Sequence, residues 1–148
     1  MHSPDRVSFL DASTNGANFI PLAQSWPADL ETPLTTWLKV GQGQPPGVLL
    51  ESVEGGENLG RWSVVASNPL WTATARGNLV IREWRDGRIE ELSGNPFQIL
   101  RNFLSPYRSL TLPGLPPLGQ LYGMWGYELI QWIEPTVPVH LRDEKDPP

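Results

Sequence analysis

Cysteine is absent from the chain, which removes a disulfide framework, a thiolate nucleophile and any Cys-ligated zinc or iron-sulfur site. Redox compartment is therefore not readable from the sequence. Histidine is nearly absent: His2 and His140 stand at opposite ends, so neither a histidine metal cluster nor a Ser/His/Asp triad assembles, and both read as solvated terminal residues. Long apolar runs are missing as well. The most apolar stretch, Leu121 to Ile133, contains Glu128 and Gln131 and is too short to span a bilayer. Met1 to Arg6 carries Asp5 and Arg6 ahead of only a short apolar stretch, unlike a signal peptide. Basic charge is scarce, with 11 Lys and Arg against 16 Asp and Glu for a net charge of -5. With no dense basic cluster, the chain repels phosphate backbones and anionic membrane surfaces, so neither nucleic acid nor membrane is expected as a partner. A cytoplasmic location is the expectation.

A length of 148 residues suits one domain able to bury a single core. The abundance of 16 prolines, 14 glycines and 7 tryptophans describes short elements joined by tight turns around large aromatic anchors. Asn18 to Leu22 reads as a short extended segment. Thr32 and Pro33 form a cap and first helical position for a helix over about Pro33 to Val40, with Leu34, Trp37 and Leu38 on one face. The cluster Gly41 to Gly47 ends it. The apolar run from Gly47 then reads as a buried strand, turned at Gly55-Gly56 into a second strand from Arg61 to Ala66. Leu70 to Arg76, Asn78 to Trp84 and Arg88 to Leu92, separated at Gly77 and at Asp86-Gly87, form an antiparallel meander. Asn95-Pro96 opens another helix, with Phe97, Leu100, Phe103 and Leu104 on one face. The proline-rich loop Ser105 to Leu118 is expected on the surface. A last strand, Gly119 to Trp125, leads into a short helix that Pro135 stops. The fold class is thus α+β, with antiparallel sheets in a two-sheet, sandwich-like arrangement and a few short helices. One domain is expected over residues 1–138, followed by a polar linker or tail over 139–148.

Candidate chemistry is sparse. The glycine-rich stretch at Gly41 to Gly47 lacks the lysine and hydroxyl residue of a phosphate loop and reads as a turn. Glu54 and Glu57 flank the Gly-Gly turn and should be hydrated, which argues against a catalytic carboxylate pair with Glu51. Glu51 itself follows Val48-Leu49-Leu50, so on a core-forming strand its carboxylate needs a partner to offset desolvation. That partner is either Arg61 across the hairpin or the ammonium group of a ligand. Trp37, Trp62, Trp71 and Trp84 read as packing residues rather than an aromatic cage. Trp125, bracketed by Gly123 and Gly126, sits where the backbone allows close approach to a neighbouring element or a ligand, and packing is favoured.

The segment LLESVEGGENLGRWSVVASNP, Leu49 to Pro69, resembles the block that marks the large subunits of anthranilate synthase and aminodeoxychorismate synthase. It joins a Leu-Leu-Glu-Ser strand, an acidic glycine turn and an arginine opening the next strand. Upstream, Ile20 to Val40 is similar to the strand and helix preceding that block, and Gly119 to Pro135 is similar to the family's Gly-Tyr strand, helix and Glu-Pro end. In order, the three stretches cover most of Asn18 to Pro138. Gln131 and Glu128 depart from an arginine and an aspartate common in the family.

The resemblance implies an amino-terminal domain of the large subunit, α+β with facing antiparallel sheets, contributing to a site where L-tryptophan acts as feedback inhibitor. By that likeness Leu50, Glu51, Ser52 and Arg61 border the ligand, with Glu51 meeting its ammonium group and Ser52 hydrogen-bonding near its amino-acid moiety. No catalytic residue is implied within these 148 residues. Chorismate and Mg2+ are handled in the family by a carboxy-terminal domain, so the chain itself carries no cofactor, and the expected partners are that catalytic domain and a glutamine amidotransferase subunit. Two alternatives stand beside this: the corresponding domain of aminodeoxychorismate synthase, and a free-standing, non-catalytic amino-acid-binding module.

Overall fold

The computed structural model describes residues 2–41, 46–51, 62–115, 121–134 and 136–137. Along these the elements run β1 (His2–Ser3), α1 (Arg6–Thr14), β2 (Ala23–Gln24), α2 (Pro33–Val40), β3 (Gly47–Leu50), β4 (Val64–Ser67), β5 (Trp71–Arg76), β6 (Leu79–Trp84), β7 (Ile89–Ser93) and α3 (Pro96–Leu104). A 3-10 turn (Tyr127–Leu129) then leads into α4 (Ile130–Ile133). The strands pair antiparallel as β1-β2, β3-β4 and β5-β6-β7, which makes the chain α+β as its sequence indicates.

Local chemistry sets most boundaries. At α2 the Thr32 hydroxyl accepts from the Thr35 amide at 3.1 Å while the Thr35 hydroxyl accepts from the Thr32 amide at 2.8 Å, a reciprocal cap that satisfies two donors the helix leaves open. Pro33 costs nothing in the first turn because its missing N–H has no intrahelical acceptor there. At α3 the Asn95 carboxamide oxygen accepts from the amides of Phe97 and Gln98, at 2.9 and 3.3 Å. The meander turns where glycine supplies a left-handed conformation: Gly77 has φ 56° and Gly87 φ 87°. At the second turn Asp86 also accepts from the Arg88 amide at 3.1 Å.

The β5-β6 register pairs Trp71 with Trp84, Ala73 with Arg82 and Ala75 with Val80. Because strand side chains alternate between faces, these six share one side of the sheet. Against that side lies the apolar stripe of α3, so that Val80, Ile99, Leu100 and Phe103 form the core, flanked by Trp71 and Ala73. Each fully buried large side chain there contributes roughly 1.5–3 kcal/mol. Arg82 enters the same layer and ion-pairs with Glu90 on β7. Its guanidinium carbon lies 3.8 Å from the Phe103 ring centre and 4.5 Å from that of Trp84. The α2 helix packs on the β3-β4 pair, its Trp37 ring lying directly over Gly47.

Several expectations are corrected. Residues 121–126 carry no strand; Trp125 instead stacks on Phe97, ring centres 5.5 Å apart and planes 17° from parallel, and residues 119–120 lie outside the described residues. Trp125 is thus a packing residue, although a side chain at Gly123 would meet nothing within 4 Å, so no close backbone approach requires that glycine. The β4 strand starts at Val64, after Trp62, and runs through Ser67. Of the extended segment Asn18 to Leu22, only Phe19 makes a bridge, to Ser109. The loop after α3 is not wholly superficial, since its Leu112 is 5% exposed. The α1 helix comes without apolar periodicity in the sequence: Asp5 caps it by accepting from the Ser8 amide at 2.8 Å, and no residue of it is buried. The Gly55-Gly56 turn, Pro135, the domain limit at 138 and the tail 139–148 lie outside the described residues. Among the described residues no helix is long and apolar enough to cross a membrane.

Candidate functional site

Two places compete as a site, at opposite ends of the β3-β4 hairpin. The first holds the residues implied by the family likeness. Leu50 ends β3 opposite Val64 and is 47% exposed, and Glu51 follows it, also exposed. The reading of Glu51 as a carboxylate buried on a core strand is therefore corrected: the strand ends one residue before it, and water supplies the solvation that a buried partner would otherwise have to offset. Ser52 and Arg61 lie outside the described residues, so the structure places two of the four residues, adjacent in sequence at the end of the hairpin where Leu50 pairs with Val64.

The second place is a cleft of about 400 Å³, within the range of small-molecule sites. It opens at the other end of the hairpin, where Gly47 pairs with Ser67. Five further stretches of chain converge on it, through Phe19, Leu70 and Trp71, Leu104, Tyr107, and Tyr122. A hydrogen-bonded clamp builds this wall. Asn18 donates through its side-chain amide to the Pro106 carbonyl and accepts from the Arg108 amide, each at 2.7 Å. The Phe19 amide donates to the Arg108 carbonyl at 3.2 Å, and the Leu110 amide to the Phe19 carbonyl at 3.1 Å. Thus tied, Phe19 meets Tyr107 edge to face at 6.0 Å and 88°. The Trp71 indole N–H donates to the Tyr107 hydroxyl at 3.2 Å while its ring packs edge-on against Phe103 at 5.8 Å.

The described residues lining this cleft include no charged side chain. It offers aromatic walls and the hydroxyls of Ser67, Thr72 and Tyr107, an arrangement suited to apolar groups and unsuited to a zwitterion needing counter-charges. From Gly47 to Glu51 the extended chain covers about 13 Å. The hairpin therefore holds the carboxylate of Glu51 and the apolar cleft apart instead of combining them in one pocket. Nothing local in the sequence marks the cleft, because its walls come from segments far apart in the chain. Among the described residues no group of three or more His, Asp or Glu side chains stands close enough to hold a metal ion.

No protein-family model matches the chain, and no solved structure matches it. Curated relatives do. The chain is 48% identical over 149 residues to "Anthranilate synthase component 1" of Synechocystis sp., an alignment covering 100% of this chain and 29% of that relative. Proteins of the same name from Acetivibrio thermocellus and Pseudomonas aeruginosa are 36% and 35% identical over 124 and 133 residues, covering 82% and 88% of this chain and 25% and 27% of theirs. The chain thus spans only between a quarter and three tenths of the length of these relatives. By sequence it belongs to the anthranilate synthase component 1 family, in which it corresponds to the amino-terminal part.

Proposed function

We propose that the chain serves as the amino-terminal, regulatory region of an anthranilate synthase large subunit in tryptophan biosynthesis, a cytoplasmic enzyme making anthranilate from chorismate, and that it binds L-tryptophan as feedback inhibitor. The observation that carries the family part is the 48% identity across the whole chain to a protein of that name. The names of the relatives favour this over aminodeoxychorismate synthase. For the ligand, support comes from Glu51: an exposed carboxylate just past a strand end, free to meet an ammonium group without a prior desolvation cost. In this reading Leu50 offers its half-exposed side chain to the indole, and Ser52 and Arg61 complete the polar rim.

Catalysis belongs to the portion of the large subunit that this chain does not span. Chorismate and Mg2+ are assigned there, with ammonia delivered by a glutamine amidotransferase partner. No catalytic step is assigned to this chain. What its residues contribute is recognition.

Calorimetric titration of L-tryptophan tests the ligand, using this chain joined to the remaining part of the Synechocystis relative. A charge-assisted hydrogen bond is worth about 1.5–3 kcal/mol, so Glu51→Ala should weaken binding by roughly 10- to 100-fold. Unchanged affinity in that variant removes Glu51 from the site. Absence of any binding heat in the unsubstituted protein removes the sensor reading altogether.

A further inference from the structure

The apolar cleft has a property that the Glu51 end lacks, for it follows the edge of a strand. Trp71, Thr72 and Ala73 are consecutive in β5, and all three border it. Consecutive strand side chains point to opposite faces, so a cleft touching all three runs along the strand's edge and not across one face. Among the described residues that edge is open: β5 is paired with β6 alone. An open row of backbone donors and acceptors beside an apolar trough is completed by a second extended backbone, which pairs with the row and sinks alternate side chains into the trough. Leu70, Leu104 and Leu121 stand at the trough 43%, 37% and 36% exposed, a grouping of large apolar side chains that marks an interaction surface. A charged small molecule would find no counter-ion among the described lining residues.

We propose that the free edge of β5 receives an extended, apolar strand from the portion of the component 1 polypeptide that this chain does not span. The proposal rests on the family reading above. It is supported by relative length: the full chain aligns to only 29% of the Synechocystis relative, so the larger share of such a polypeptide lies outside it and is available to cover this trough. The strand pairs with β5, extends the β5-β6-β7 sheet to four strands and buries the three leucines; whether the two portions are one chain or two does not alter the geometry.

Amide hydrogen exchange of β5 decides the matter. The measurement compares this chain alone with the same chain joined to the remaining part of the Synechocystis relative. The expected result is that the edge-facing amides within Trp71–Arg76 exchange at least 100-fold more slowly in the joined protein. Amides of β6, which is paired on both sides, serve as the folding control and should be protected in both. Leu104→Asp, and separately Leu70→Asp, should restore fast exchange on the β5 edge while leaving β6 protected. Equal β5 exchange in both proteins, with β6 protected, overturns the proposal. So does β5 protection in the chain alone that rises with its own concentration, because the occupant is then a second copy. Anthranilate formation by a joined protein with unprotected β5 would leave the family reading standing and sink this one, whereas protected β5 in an inactive protein would do the reverse.

Discussion

Adding a single methyl group at Gly47 tests how α2 is seated on the β3-β4 pair. A Cβ built there falls 2.3 Å from Cη2 and 2.6 Å from Cζ3 of Trp37, and 3.2 Å from the Ala66 carbonyl oxygen across the hairpin. Carbon atoms settle at about 3.5–4.0 Å, so the indole must retreat by more than about 1 Å. Displacement of the new methyl group itself is limited by the Ala66 backbone, which cannot swing away as a side-chain tip can. Overpacking of this kind costs about 1–3 kcal/mol, and α2, with no fully buried residue of its own, has little other packing to hold it. Gly47→Ala should therefore lower the urea midpoint with an unchanged denaturant slope, read by far-ultraviolet circular dichroism. Gly123→Ala is the control, since a Cβ there meets nothing within 4 Å. Trp37→Leu shortens the opposing group, so the Gly47→Ala penalty should shrink by about 1 kcal/mol or more in that background. Full stability in Gly47→Ala, or an equal penalty with Leu at position 37, would refute the seating of α2 through this contact.

Two other perturbations address charge. Arg82 keeps 14% of its side chain exposed, lies over Phe103 and Trp84, and has a buried Nε with no hydrogen-bond partner. Arg82→Ala loses stem packing at about 0.8 kcal/mol per methylene and a cation–π contact of about 1–2 kcal/mol, so unfolding should show a loss of about 2–3 kcal/mol. Arg82→Met retains the stem and removes the orphaned Nε, so its loss should stay below about 1 kcal/mol; a Met variant weaker than the Ala variant would contradict this account. At the start of α1, the Ser8 backbone amide, followed by its side chain, holds the Asp5 carboxyl below its ordinary value of 3.8. A depressed folded-state pKa means the cap's contribution is present above the unfolded value and lost as pH falls through the folded one. Carbon NMR should give an Asp5 midpoint below 3.8, with α1 amide protection falling over the same range. Asp5→Asn should keep the cap and abolish that pH dependence.

Much of the fold follows from the sequence by itself, wherever a few neighbouring residues settle the outcome. Thr32-Pro33 fixed the start of α2, Asn95-Pro96 that of α3, and Gly77 and Asp86-Gly87 the two turns of the meander, because caps and left-handed turns are satisfied within three or four residues. The family likeness was equally local, carried by Leu49 to Pro69. Tertiary structure decided whatever depends on a distant partner. Residues 121–126 have strand composition yet form no strand, since a ladder needs a second backbone and Trp125 found Phe97 instead. Glu51 is exposed because β3 stops at Leu50, and no property of Val48-Leu49-Leu50 announces that stop. Arg82 meets Phe103, Trp84 and Glu90 only once sheet register and the α3 stripe bring them together. The cleft beside β5 is the extreme case: its walls join Phe19 to Tyr122, and only the Asn18 clamp and the packing of α3 on the sheet bring them to one place. Short-range hydrogen bonding is written in sequence neighbours, whereas burial and pocket shape are set by which surfaces the whole chain presses together.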